Sequence, residues 1–396
     1  MRKCTENWIE TYVEYSANLE ASLKFHVWIG LSVIASVLQR KVYYPRGYFN
    51  IYPNLYVGII GPTGDGKTTA ANVGTEFLKQ IPDVEFIEEK ATSYYLYELF
   101  DQFTKTGHDC CCSIYAPEMK NFLADLNKTE LVSMLTSFYT CPNAPMYRLK
   151  AQLVGGRKMQ FKNVCVNLLA CSTPEWLTTG TTTDDIYGGF TGRFVYVYED
   201  SSDRSFPFPE DFMTARMPKL KQDLLDDLLH INTLKGPFII TDQAKAEYTV
   251  WYNDRKKECK DERLIGYYAR KRDLVLKVSM LLAVAKDDDL IIDESVLHMA
   301  WKLLNQTEER MAEAFSGVMT DPALRYKDLV VSMLARAPSH TLTRDEILRK
   351  QWHKFDGVVL DRIVTNLIEA KMVKSYTKDI GGIRHIMYEL LRFRTN

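Results

Sequence analysis

Two observations predict an α/β fold built on a parallel sheet. The first is "NLYVGIIGPTGDGKTTAANVGTEFLKQI", residues 54–81, where an apolar β-prone run meets a glycine-rich loop and then a helical pattern. The second is a series of further strand-like runs: "VEFIEE" from 84, "CCCSIY" from 110, "NVCVNLLACS" from 163 and "RFVYVYE" from 193. Helical stretches such as "SYYLYELFDQF" and "ELVSMLTSFY" separate them. That alternation implies crossover connections, parallel strands and helices on both faces of the sheet. Ligands of such sheets bind at the carboxyl ends of the strands.

The chain has 396 residues, room for two or three modules with sizeable cores. Hydrophobic residues make up 46% and charged residues 26%, the proportions of a globular protein in water. A net charge of −1 excludes a uniformly basic nucleic-acid coat and leaves room for a local basic surface. The start, "MRKCTENWIETYVEY", has no apolar stretch behind its basic residues, and the longest apolar run, "VWIGLSVIASVL" from Val27, is too short to span a bilayer. A cytoplasmic protein with no membrane partner is expected. Residues 1–50, with apolar positions at helical spacing from Trp8 to Leu38, are expected to form a helical collar.

The loop after the first strand matches G-x-x-x-x-G-K-[ST] through Gly61, Gly66, Lys67 and Thr68, in the strand-loop-helix context that a phosphate-binding loop requires. The backbone from Gly61 through Pro62, Thr63, Gly64, Asp65 and Gly66 to Thr69 would cradle phosphates, helped by the helix N-terminus. Lys67 would reach the β- and γ-phosphates, and the Thr68 hydroxyl would ligate Mg²⁺. ATP and Mg²⁺ are the expected cofactors.

The strand "CCCSIY" is expected beside the phosphate-loop strand, with Glu118 just past its carboxyl end. A hydrolytic site usually has Asp-Glu there, the Asp for the Mg²⁺ shell and the Glu to polarise water. Here the pair reads Pro117-Glu118, so Glu118 is the candidate general base and Asp109 the nearest alternative to the missing aspartate. Cys110, Cys111 and Cys112 alternate in direction along a strand and belong in the core as small hydrophobes rather than on one metal ion. In "LLACSTPEW", Ser172 and Thr173 either hold the attacking water and the γ-phosphate or cap the helix that Pro174 begins. Arg193, at the start of the fifth strand, points away from its own phosphate loop and is a candidate finger for a neighbouring subunit.

These residues, in this order, resemble AAA+ ATPases. The segments "YPNLYVGIIGPTGDGKTT", "CSIYAPEMKNFL", "RLKAQLVGGRKMQFKNVCVNLLACSTPEWL" and "GGFTGRFVYVY", within 52–198, narrow the resemblance to the replicative-helicase-like AAA+ proteins of phages and mobile elements, distantly related to MCM helicases. The resemblance implies a homo-oligomeric ring, a hexamer, translocating on or unwinding single-stranded or forked DNA during replication. A separate primase or polymerase would be its partner, because no primase or zinc-binding domain is visible in this chain. It also implies an ATPase core over 51–208 and a DNA-gripping pore hairpin at 147–163 carrying Arg148, Lys150, Arg157 and Lys158, turned by Gly155-Gly156. A helical lid over 209–320 would carry a second sensor at Arg270, spaced from Lys277 as in the MCM pattern, with Arg272 the fallback. Ser172 or Thr173 would sense the γ-phosphate. Two other readings stand beside the motor. One is a replication initiator or helicase loader that uses ATP as an assembly switch. The other is a protein-remodelling ATPase that does not touch DNA.

Residues 321–396 read as three short helices, the second capped by Thr343, and a hairpin turned at Gly381-Gly382. That is the pattern of a winged-helix domain. Its third helix carries Arg362 and Lys371 but also Asp361 and Glu369, which leaves DNA contact and protein contact equally open.

Overall fold

The computed structural model describes residues 2–4, 7–123, 128–143, 145–149, 158–180, 189–200, 202, 204–212, 214–254, 259, 261–315, 326–352 and 354–391. Two compact units make up the chain, Met1–Ser316 and Gly317–Asn396.

Asn7 accepts a 2.8 Å bond from the Glu10 N–H and caps helix α1 (Trp8–Ser16), and Ser22 caps α2 (Leu23–Leu38). Every residue of α2 from Trp28 to Leu38 is buried, as its all-round apolar sequence demands. The indole of Trp28 donates to Thr307 Oγ1 and that of Trp8 to the Leu224 carbonyl, both at 3.0 Å, so neither buried indole N–H is stranded. The expected helical collar over 1–50 is helical only as far as Leu38. Strands β1 (Val42–Arg46) and β2 (Phe49–Ile51) pair antiparallel around Gly47, whose φ of 69° suits the turn. Pro45 and β-prone Val42-Tyr43-Tyr44 end helical geometry there.

The central sheet comprises β3 (Tyr56–Ile60), β4 (Phe86–Glu88), β5 (Cys111–Ala116), β8 (Cys165–Ser172) and β9 (Phe194–Tyr198), all parallel, in the order β4-β5-β8-β3-β9. Between them run α3 (Lys67–Leu78), α4 (Ser93–Thr106), the short α5 (Met119–Phe122), α6 (Lys128–Phe138) and α7 (Pro174–Gly180), together with the antiparallel pair β6 (Met146–Leu149) and β7 (Lys158–Phe161). The adjacency expected from sequence needs correcting. Strand β3 pairs with β8, from Tyr56↔Leu168 to Ile60↔Ser172, and β5 lies one strand further out. Two buried asparagines select this pairing: Asn167 Oδ1 accepts from the Leu55 N–H at 2.9 Å, and Asn54 Nδ2 donates to the Val166 carbonyl at 3.3 Å. Cys110, Cys111 and Cys112 are buried, and burial raises the Cys110 and Cys112 thiols above their ordinary pKa.

Helices α8 (Met217–Ile231), α9 (Asp242–Asp254), α10 (Ile265–Lys286) and α11 (Glu294–Met311) complete the first unit. Lys277 of α10 is buried, donates to Asn54 Oδ1 at 2.6 Å and lies 4.0 Å from the Tyr139 ring centroid, tying α10 to the start of β3. No helix among the described residues is long and apolar enough to cross a membrane.

In the second unit α12 (Lys327–Arg336), α13 (Arg344–Gln351) and α14 (Gly357–Glu369) pack on an antiparallel sheet of β10 (Thr341–Thr343), β11 (Val373–Ile380) and β12 (Ile383–Leu390) in the order β10-β12-β11. Thr343 and Glu346 form a reciprocal capping box at the start of α13. Gly381 and Gly382, with φ of 60° and 81°, turn the hairpin at the expected place. On α14, Asp361 is held by Arg344 through two 2.9 Å bonds.

His26 of α2 is fully buried, and neither ring nitrogen has a hydrogen-bond partner. Burial, then the nearby Arg204 cation, push its pKa from 6.5 down to about 4. The fold therefore requires the neutral ring, and stability that is intact above pH 6.5 is lost as pH falls toward 4. Between pH 7 and pH 5 this group alone should cost about 2 kcal/mol. Urea unfolding of wild type and His26→Phe at both pH values should show the variant losing less stability by that margin.

Candidate functional site

A cavity of about 300 Å³ opens at the carboxyl ends of β3, β5 and β8, lined by Thr63, Gly64, Lys67, Thr68, Pro117, Glu118, Lys120, Ser172 and Thr173, among others. The strand order explains the convergence: β8 lies between β3 and β5, so its last residues face the phosphate loop on one side and Glu118 on the other. Gly64 and Gly66 have φ of 90° and 66°, the left-handed backbone that turns N–H groups toward a bound anion. Helix α3 begins at Lys67 with no side-chain cap, which leaves its first N–H groups available to phosphate oxygens. The Lys67 ammonium donates to the Pro62 carbonyl across the loop, and burial lowers its pKa from the ordinary value. Asp65 Oδ1 accepts from the Ser202 N–H at 2.9 Å and pins the loop to the segment after β9. A Cβ on Gly61 would meet the Glu199 carbonyl at 3.0 Å, a contact tight enough that the neighbouring backbone would have to give by a few tenths of an ångström.

The cavity suits a polyphosphate: fixed dipoles, a lysine and a hydroxyl on one wall, a carboxylate on the other. For Mg²⁺ it offers the exposed Thr68 hydroxyl, which would hold the ion together with phosphate oxygens and water. Among the described residues no cluster of three His, Cys, Asp or Glu side chains could hold a metal unaided. Asp109, the alternative to the missing aspartate, is ruled out by position. It precedes β5, the whole six-residue strand separates it from Pro117, and a strand of that length spans about 20 Å. Its carboxylate accepts instead from Asn163 at 2.7 Å.

Glu118 is exposed at the N-terminus of α5, and its Oε2 accepts from Asn121 Nδ2 at 2.6 Å. Ser172 and Thr173 line the cavity, while Thr173 Oγ1 also accepts a long 3.4 Å bond from the Trp176 N–H at the start of α7. Lys120, Cys171 and Trp176 line the cavity too and escaped the sequence reading. Lys120 stands two residues beyond Glu118, a spacing that could have flagged it.

Arg193 and Arg270 come together at the opposite end of the strands. Arg193 closes a 3₁₀ turn, Thr191–Arg193, rather than opening β9. Phe194 pairs with Tyr56, so the arginine lies beside the amino end of β3 while the phosphate loop leaves its carboxyl end, a five-residue strand or about 16 Å away. The convergence depends on a glycine contact, since a Cβ on Gly192 would meet the Gly266 carbonyl carbon at 2.6 Å. This close approach of the turn to α10 brings Arg193 Nη1 and Arg270 Nη2 each to 3.1 Å from one point beside Gly189. Arg193 donates to the Gly189 carbonyl, and Arg270 donates to that of Gly266 at 2.8 Å. The Arg193 Nε is buried without a partner, and burial followed by Arg270 lowers its pKa. Neither guanidinium has a carboxylate partner among the described residues.

Of the residues expected to grip DNA, Arg148 lies on β6 opposite Met159, and Lys158 on β7 opposite Leu149. Lys150, Arg157 and the Gly155-Gly156 turn lie outside the described residues. Strands β6 and β7 pair antiparallel, from Met146↔Phe161 to Leu149↔Lys158. No protein-family model matches the chain, and no curated protein is significantly similar to it.

Proposed function

We propose that the chain is an AAA+ ATPase whose nucleotide site is shared between subunits of a ring, and that the ring moves along or unwinds DNA. One observation carries this reading: two arginines, with no carboxylate partner among the described residues, sit side by side at the amino end of the strands, away from their own phosphate loop. Adjacent cations repel, and an anion is their natural complement. In a head-to-tail ring each subunit offers that pair to the nucleotide of the next. Lys67 and the backbone of 61–69 bind the β- and γ-phosphates, and Thr68 holds Mg²⁺. Glu118 takes a proton from the attacking water, and Ser172 or Thr173 orients that water. Arg193 and Arg270 of the neighbour neutralise charge as the γ-phosphoryl leaves. A hexamer, a pore hairpin gripping single-stranded or forked DNA, a winged-helix C-terminal domain, and replication of a phage or mobile element alongside a separate primase or polymerase follow from the family resemblance.

One observation favours a second reading. Glu118 is the only carboxylate lining the cavity among the described residues, with Pro117 where an aspartate would strengthen the Mg²⁺ shell. Slow hydrolysis would suit an initiator, a helicase loader or a protein-remodelling switch. Steady-state ATP hydrolysis with and without single-stranded DNA separates the readings. The motor predicts turnover that DNA stimulates several-fold, whereas ATP binding with negligible turnover in both conditions would favour the switch.

A further inference from the structure

Asn121 stands one turn beyond Glu118 on α5. Besides the 2.6 Å bond from its side-chain amide to Glu118 Oε2, its backbone N–H donates to the Glu118 carbonyl at 3.0 Å. Glu118 occupies the N-cap position with extended backbone, φ −130° and ψ 104°, yet its side chain makes no capping bond to the helix. The carboxylate is committed sideways to Asn121 instead. Glu118 and Pro117 line both the phosphate cavity and a second one of about 220 Å³, whose other walls are Glu89, Lys90 and Asn121.

An exposed glutamate has several rotatable bonds and no surroundings to select one rotamer. A general base, however, must sit within hydrogen-bond reach of its water. We infer that Asn121 is a positioning residue for hydrolysis, holding one carboxylate oxygen of Glu118 so that the other meets the attacking water. The inference rests on the reading of Glu118 as the base. In this conformation Glu118 already lines the phosphate cavity, so the contact sets the base in place rather than withdrawing it.

The test is steady-state ATP hydrolysis by the full chain, comparing wild type with Asn121→Ala, Asn121→Asp, Asn121→Gln and Glu118→Gln. Asn121 is exposed, so none of its substitutions disturbs the core. Asn121→Ala should lower kcat roughly tenfold to a hundredfold with little change in KM for ATP. Asn121→Asp, which lacks the amide donor and sets a like charge beside Glu118, should lose at least as much, whereas Asn121→Gln, which keeps an amide, should recover part of the loss. A merely structural role would not sort the variants by whether they keep a donor. If Asn121→Ala and Asn121→Asp keep wild-type kcat while Glu118→Gln is inactive, the inference is wrong and the base assignment survives. Faster turnover by Asn121→Ala would equally overturn it, because the amide would then be restraining the base. Normal turnover by Glu118→Gln would instead remove the assignment on which it depends.

Discussion

Lys67→Ala should lower kcat/KM for ATP by at least about a hundredfold, the usual loss when a donor to developing charge is removed from a closed site. Its ammonium is buried in the wall of the phosphate cavity and already spans the loop to the Pro62 carbonyl, so it is poised to exchange that partner for a phosphate oxygen. Binding should also weaken, because burial has already removed part of the ammonium's hydration and alanine offers the phosphates no cation. Titration with a fluorescent ATP analogue, alongside a turnover assay, separates the two losses. A Lys67→Ala protein with normal turnover would remove the nucleotide site from the account.

The second large effect is expected at Arg193. Guanidinium fingers supply about a thousandfold or more in phosphoryl transfer, and Arg193→Ala should lose turnover on that scale while retaining ATP affinity. Affinity should survive because the arginine does not line its own phosphate cavity. The substitution also relieves a burdened position, since Arg193 is partly desolvated beside Arg270 with an unpartnered Nε. Thermal stability should therefore hold or rise as activity falls. Residues kept at a cost to the fold are found where function requires them.

The phosphate loop was legible because its geometry is local: Gly64 and Gly66 turn the backbone within a few residues of the helix that they open. The same is true of the Thr343 capping box and the Gly381-Gly382 turn. Strand order was not legible. It is set by Asn54 and Asn167, whose side chains bridge β3 and β8 across a long stretch of intervening chain. The β1–β2 hairpin was hidden by two strongly apolar helices just before it. Asp109 looked available because it is close to Glu118 in sequence, but an extended strand turns that closeness into distance. The meeting of Arg193 with Arg270 depends on Gly192 packing against Gly266, two glycines that no periodicity connects. Asn121 was passed over because a polar residue one turn into a short helix has no motif of its own.

The central claim is that each nucleotide site draws on two subunits, and mixing two inactive variants tests it most directly. Lys67→Ala keeps a sound arginine pair, and Arg193→Ala keeps a sound phosphate loop. After equimolar mixing and subunit exchange, about a quarter of head-to-tail interfaces should join a sound loop to a sound arginine pair. ATP hydrolysis by the mixture should then rise far above the sum of the separate variants. A mixture that stays at that sum, with mixed oligomers verified, would contradict the account and return Arg193 to a role within its own chain.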